Sequence, residues 1–436
     1  MTYKETCDYL YKQTPMFESQ GVGAYKEGLE NTLKLDEHFG HPHRDFRTIH
    51  VAGTNGKGSC AHTISAILQE CGYKVGLYTS PHLVDFSERI RINGCPIAEN
   101  YVVDFVEKEK AFFEPLHPSF FEVTTALAFK YFRDMQVDIA VIEVGLGGRL
   151  DCTNIITPIL SVITNISFDH TQLLGNSLEQ IAMEKAGIIK KGVPVVIGET
   201  TPETRVVFES VASEVGAPIT YAEDTPEVLS VSLQNGKMHY DTRSFGQLEG
   251  ELCGIYQEKN TNTVLHAVKE LEKQGYLYLD KHDDGSSKCQ EVAEGFAEVS
   301  RITGLKGRWQ VISEAPLTVC DTGHNVAGWT YLSQQISQVE CFRKHIVFGA
   351  VEDKDIDGMM ALLPKDAIYY FTKAKNHRAI SENVLKVLGN QIGLKGESYP
   401  SVAVAVEAAR SEAVKGDFIF IGGSSYIVAD FLKSYI

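Results

Sequence analysis

The sequence predicts an α/β protein of two domains: a larger one built on a parallel sheet with a phosphate loop, and a smaller α/β domain after it. Three observations predict this. Short β-branched runs alternate with helix-like segments along most of the chain, a glycine-rich turn carrying a lysine joins the first such strand to the first such helix, and the alternation breaks in polar sequence near residues 295–307 before restarting. At roughly 150 residues per domain, 436 residues suit two or three domains. The division is set at 1–298 and 299–436.

The elements follow in order. Thr48–Ala52 reads as a strand, and Ser59–Cys71 places Ile64, Ile67, Leu68 and Cys71 at helical spacing with Gly72 as a C-cap. Val75–Tyr78, Ile139–Val144, Ile159–Thr164 and Val193–Ile197 are short apolar runs ending in polar or glycine residues, the look of buried parallel strands. From about Thr200 to Leu252 the pattern changes: SVSLQNGKMHYDTRSF alternates around Asn235-Gly236, an antiparallel hairpin. KHDDGSSK and TGLKGRW then mark the junction. Beyond it, strands are expected at Leu317–Cys320, Ile346–Phe348, Ile368–Phe371 and Phe418–Ile421, with a helix over Val402–Ala413.

Composition excludes several classes. Apolar residues are 43% and charged residues 22%, which rules out a disordered chain. The net charge of −16 repels a phosphate backbone, so no nucleic-acid partner is expected. Nine scattered cysteines without a CxxC pair argue against zinc ribbons and a disulfide framework. The N-terminus lacks signal-peptide blocks, and no apolar run approaches the roughly 20 residues that span a bilayer. The expectation is a cytoplasmic protein with no membrane partner.

The chemistry concentrates at the ends of the expected strands. VAGTNGKGS (51–59) has the strand–glycine–helix form of an anion cradle, in which backbone N–H groups, a helix N-terminus and Lys57 face a phosphate. It departs from the usual P-loop pattern, with Val51 at the first glycine position and Gly58 between Lys57 and Ser59. In IEVGLGGRLDCTN (142–154), Glu143 ends an apolar run, where a carboxylate beside phosphates suits Mg²⁺. The next strand delivers Asp169 and His170, and MEKAGIIKKG presents Lys185 just before another strand.

GTNGKGS (53–59), TSPHL (79–83), SERIRING (87–94), EVGLGGRLDCTN (143–154), SFDHTQLLG (167–175) and EKAGIIKKG (184–192) together resemble the folylpolyglutamate synthase/dihydrofolate synthase family of the Mur-ligase superfamily. GRW (307–309), DTGHN (321–325), FGAVEDKD (348–355) and GGSSYIV (422–428) extend the resemblance over nearly the whole chain. It implies a P-loop-containing, Mur-ligase-like ATP-binding domain followed by a Rossmann-like C-terminal glutamate-ligase domain.

The resemblance also implies roles. Thr54, Asn55, Gly56, Lys57, Gly58 and Ser59 would wrap the ATP phosphates, with Asn260, Arg308 and Asp321 at further nucleotide positions. Ser80, Glu143, His170 and a carbamylated Lys185 would hold magnesium, two ions in all. Ser119, Phe120, Phe121 and Glu122, with Leu150, Asp151 and Cys152, fall where the family holds the pterin, and His324 and Ser424 near the incoming glutamate. Lys57, His170, Lys185, Arg308 and His324 would be the catalytic set.

The implied reaction is ATP-dependent ligation of L-glutamate to dihydropteroate or a reduced folate through an acyl phosphate, in folate biosynthesis, by a monomer carrying both activities. The family's usual DGAHN is DTGHN here, its usual HQ is Tyr256-Gln257, and its proline before GR is Lys306. Three alternatives stand beside this reading; one, a non-catalytic nucleotide-binding module that keeps the fold, is opposed by the intact candidates at every metal and phosphate position. A cell-wall ligase acting on UDP-linked peptides would need an N-terminal domain for which the chain before Gly53 is too short. A P-loop kinase or GTPase-type switch would leave Glu143, His170 and Lys185 unexplained.

Overall fold

In the computed structural model, which describes residues 1–14, 28–278, 280–281, 287–288, 290–352 and 354–435, the apolar runs become two mainly parallel sheets. The α/β expectation holds. The chain divides into two units: Met1–Glu251 with Gln257–Leu305, and Leu252–Tyr256 with Lys306–Ile436.

The first unit contains β1 (Arg47–Ala52), β2 (Val75–Tyr78), β3 (Ile90–Ile92), β4 (Cys95–Pro96), β5 (Ile139–Glu143), β6 (Leu160–Ile163), β7 (Val195–Ile197) and β8 (Ile219–Tyr221), in the order β4-β3-β2-β5-β1-β6-β7-β8. Pairing is parallel from β2 to β8. Every residue of β2, β5, β6 and β7 is buried, because helices cover both faces; hence the mainly apolar runs. The antiparallel edge β3–β4 was not expected: its strands are too short, and SERIRING too rich in charge, to look apolar.

β1 is flanked by β5 and β6, so the chain steps to one side after β1 and later crosses over it. The carboxyl end of β1 is therefore a topological switch point, where ligands bind in open α/β sheets.

The expected hairpin is β9 (Val228–Gln234) with β10 (Lys237–Thr242), and β11 (Gly246–Gly250) extends it to three strands. Asn235 and Gly236 have φ of 52° and 73°, as a type I′ turn requires. Met238 and Tyr240 on β10 join the core formed by helices Lys57–Glu70 and Gln257–Lys273. β12 (Asp280–Lys281) pairs with β13 (Ser287–Lys288); most of KHDDGSSK falls outside the described residues.

The second unit has β14 (Gln310–Glu314), β15 (Leu317–Cys320), β16 (Lys344–Phe348), β17 (Ala367–Phe371), β18 (Lys395–Ser398) and β19 (Phe418–Gly422), ordered β14-β15-β19-β16-β17-β18, with only β14 antiparallel. Fully buried Trp329 sets its ring edge against Phe348 and Phe420, with centroids 5.5 and 5.7 Å away.

Two details of the division were not visible in the sequence. Helix Val299–Thr303 lies within the first unit, which runs on to Leu305, past the expected 298/299. It is held there by the 2.7 Å contact of Thr303 Oγ1 with His62 Nδ1, and by Gly94, whose added Cβ would sit 1.9 Å from the Ile302 carbonyl. The short run Leu252–Tyr256 belongs to the second unit. There the Gln335 amide accepts the Ile255 N–H at 2.9 Å and donates to the Cys253 carbonyl at 2.7 Å.

Candidate active site

The phosphate loop is shaped by glycines that approach other atoms too closely for a side chain. Gly53 has φ 145°, and a Cβ there would fall 1.8 Å from Thr164 Oγ1. Gly56 has φ 84°, and its Cβ would meet Asn260 Oδ1 at 2.3 Å. Gly56 is also the N-cap of helix Lys57–Glu70, so no side chain caps that terminus. First-turn N–H groups have no acceptor within their own helix. They form a fitting cradle for a phosphate.

The loop is stapled to the segment after β6. The Thr54 N–H donates to the Asn165 carbonyl at 2.9 Å, and the Asn55 N–H to Asn165 Oδ1 at 3.0 Å. Thr164 Oγ1 donates to the Asn55 carbonyl at 2.5 Å, and the Ser167 N–H donates to Thr54 Oγ1 at 3.0 Å. Thr164, Asn165 and Ser167 were not among the expected site residues, though the polar run TNIS after an apolar strand was the available signal. Buried Ser59 accepts a 3.2 Å hydrogen bond from Gln257 Nε2, and Asn260 Nδ2 donates to Gln257 Oε1 at 2.8 Å. Expected nucleotide residues from distant parts of the sequence thus meet at one place.

Two lysines converge on one carbonyl. Lys57 Nζ donates to Gly53 O and Thr54 O, each at 3.0 Å, and Lys185 Nζ donates to Gly53 O at 2.9 Å. Lys185 is in the last turn of helix Leu178–Ala186 and not at a strand end, and it is buried. Burial, and then the Lys57 charge, push its pKa down to about 7, against a smaller opposing pull from Asp169 and Asp151.

The glycines after Glu143 explain how that helix comes so close. A Cβ on Gly148 would lie 2.7 Å from the Glu184 carbonyl, and one on Gly187 only 2.3 Å from Arg149 Cα. Backbone packs on backbone here. Buried Glu143 closes β5 opposite Val51 and accepts the Ser80 N–H at 3.2 Å on Oε2. His170 follows β6 with φ 49°, its Nε2 3.7 Å from Asp169 Oδ1.

These groups suit magnesium. Among the described residues there is no cluster of three or more His, Cys, Asp or Glu side chains of the kind that cages zinc or calcium. Magnesium needs less protein: one or two carboxylates, with water and substrate phosphates filling its octahedron. Glu143 and the Ser80 hydroxyl are hard oxygen donors of that type.

The expected pterin residues divide by what their polar atoms already do. Ser119 and Glu122 form a capping box for helix Phe120–Asp134, with bonds of 2.6 and 3.2 Å. Phe120 is core, lying under the Arg89 guanidinium at 4.9 Å. Phe121 stacks on Tyr78 at 5.7 Å and covers Gly145, where a Cβ would meet its ring at 2.5 Å. Buried Asp151 accepts the Leu146 N–H on Oδ2 and the Thr153 N–H and hydroxyl on Oδ1. Burial raises its pKa, and those donors oppose the shift. Leu150 and Cys152 are half-buried on either side, and burial pushes the Cys152 thiol well up.

In the second unit, the expected residues cluster at the carboxyl ends of paired β15 and β19. Asp321 is buried, which raises its pKa; Oδ2 accepts the Tyr256 hydroxyl at 2.5 Å and the Trp309 N–H at 2.7 Å, and Oδ1 the Gly323 N–H at 2.8 Å. Tyr256, where the resembled family has histidine, is thus tied to an expected nucleotide residue. Arg308 Nη1 donates to Thr322 Oγ1 and to the Gly307 carbonyl. His324 Nδ1 lies 3.0 Å from the Thr322 carbonyl oxygen, and buried Ser424 accepts the Ile427 N–H at 3.3 Å.

A phosphate cradle at a switch point, beside a strand-end carboxylate and a buried lysine, defines the class. Residues 51–267 match the Mur ligase middle domain and residues 307–425 the Mur ligase glutamate ligase domain, so this is a Mur-type, ATP-dependent ligase that forms carbon–nitrogen bonds. The chain is 32% identical to the Bacillus subtilis dihydrofolate synthase/folylpolyglutamate synthase over 94% of its own length and 95% of that protein's. It superposes on Mycobacterium tuberculosis folylpolyglutamate synthase complexed with ADP with a TM-score of 0.87, 28% identity, and coverage of 99% and 98%. Against Escherichia coli FolC in complex with DHPP and ADP the TM-score is 0.82, with 30% identity and coverage of 100% and 97%. The chain belongs to the dihydrofolate synthase/folylpolyglutamate synthase family. Among the described residues no helix is long and apolar enough to cross a membrane.

Proposed function

We propose that this ligase joins L-glutamate to the carboxylate of dihydropteroate and of reduced folates, with ATP as the activating substrate. The observation that carries the reading is the convergence of Lys57 and buried Lys185 on the Gly53 carbonyl, where the phosphate loop begins and beside the strand that ends in Glu143.

A carboxylate resists attack because its charge repels nucleophiles and oxide is a poor leaving group. In the first step a substrate carboxylate oxygen attacks the γ-phosphorus of ATP and ADP leaves, giving an acyl phosphate. In the second the uncharged amine of glutamate attacks the acyl carbon, the amide forms, and inorganic phosphate departs with the former carboxylate oxygen. The loop N–H groups and Lys57 hold the phosphates and offset the charge that moves during transfer. Phe121 and the 150–152 segment support the pterin; Asn260, Arg308 and Asp321 are assigned to the nucleotide, and His324 and Ser424 to glutamate.

Magnesium, when bound, would neutralise phosphate charge and polarise the transferring group. Ser80 and Glu143 would hold it, with His170 and a carbamate on Lys185. The carbamate forms when the neutral amine adds CO₂ and releases a proton, which replaces a cation by a carboxylate.

Steady-state assays with dihydropteroate and with a reduced folate, each plus glutamate and ATP, test the reading. ADP release that depends on glutamate is expected with both acceptors. Turnover with only one would narrow the enzyme to a single activity, and glutamate-independent ATP hydrolysis with neither acceptor needed would overturn it.

A further inference from the structure

His50 lies on β1 just ahead of the phosphate loop, fully buried between Ile142 of β5 and Ser161 of β6. None of the reaction steps above uses it. Burial, helped by the Lys190 charge, presses its pKa down to about 3, so the ring is neutral at working pH. A neutral imidazole has one N–H and one bare nitrogen.

The surroundings decide which is which. His50 Nε2 is 2.8 Å from Thr153 Oγ1, and Thr153 Oγ1 is 2.5 Å from Asp151 Oδ1. Thr153 has a single hydroxyl proton. Asp151 already accepts the Thr153 and Leu146 N–H groups, so it acts as an acceptor, and the Thr153 proton points to it. The Thr153 oxygen can then only accept from His50, which places the proton on Nε2. His50 Nδ1, buried and without a hydrogen-bond partner, fits the bare nitrogen.

We propose that His50 is a positioning residue: as the Nε2–H tautomer it turns the Thr153 hydroxyl onto Asp151 and so locks the 145–155 loop to the strand that carries the phosphate loop. A second tie comes from the next residue, Asn154, whose Nδ2 donates to the Arg149 and Gly187 carbonyls at 3.0 and 3.1 Å. The His50 relay acts on Asp151 itself, between Leu150 and Cys152. Its kinetic consequence rests on the assignment of those three residues to the pterin.

Two measurements test this, and the first is independent of that assignment. Imidazole ¹⁵N shifts and N–H couplings of the wild-type protein should show Nε2 protonated and Nδ1 bare across the working pH range. An Nδ1–H tautomer or an imidazolium would overturn the relay. In the second, His50→Leu and Thr153→Val each remove a donor at little change in volume, and each should raise KM for dihydropteroate about tenfold with KM for ATP unchanged. His50→Gln, which keeps an N–H donor, should recover most of the loss. The double variant should be no worse than either single one, since both break the same chain. Additive effects, a parallel rise in KM for ATP, or no effect of either single variant would overturn the positioning role.

Discussion

Lys185→Arg is expected to lower ligase turnover by about a hundredfold or more while the protein still folds. Arginine keeps the positive charge but cannot form a carbamate. The wild-type side chain is buried, with Lys57 donating to the same carbonyl, and these surroundings hold its pKa near 7. Close to neutral pH a large share of the amine is therefore uncharged and able to add CO₂. As pH falls through about 7 the amine takes up a proton and that capacity is lost, so activation by bicarbonate should fade on the acid side. Lys185→Ala should be equally inactive, with part of the activity restored by acetate or formate occupying the vacated space. An Arg variant with near wild-type turnover would show that the cation alone suffices.

Glu143→Gln is expected to cost about a hundredfold or more in turnover at limiting magnesium, with thermal stability little changed. The substitution keeps the volume, and the amide oxygen can still accept the Ser80 N–H that now reaches Oε2 at 3.2 Å. What it removes is the charge of a buried carboxylate at the end of β5. Excess magnesium should recover part of the activity. Wild-type turnover at low magnesium would remove Glu143 from the metal site.

The parallel core was legible because both faces of its strands are covered, which forces continuous apolar runs such as Ile139–Ile142. The hairpin was legible because Asn235-Gly236 suits a turn with two positive φ values. The antiparallel β3–β4 edge was not, since short charged strands leave no periodic signal. At the site, Lys57, Glu143 and Lys185 could be singled out by residue type and position. What they do together could not: only the fold shows that Gly148 and Gly187 let two backbones touch, or that one carbonyl serves two lysines. The capping roles of Ser119 and Glu122 became visible only with the helix they start. The Leu252–Tyr256 excursion had no signal either, for its partners, Gln335 and Asp321, lie far along the chain.

Activation through an acyl phosphate has a chemical signature independent of any variant. The oxygen that attacks the γ-phosphorus leaves with the phosphate when glutamate displaces it. Turnover of dihydropteroate labelled with ¹⁸O in its carboxylate, in the presence of ATP and glutamate, should therefore yield inorganic phosphate carrying one labelled oxygen for each amide formed. Amide formation with unlabelled phosphate would contradict phosphorylation of the carboxylate.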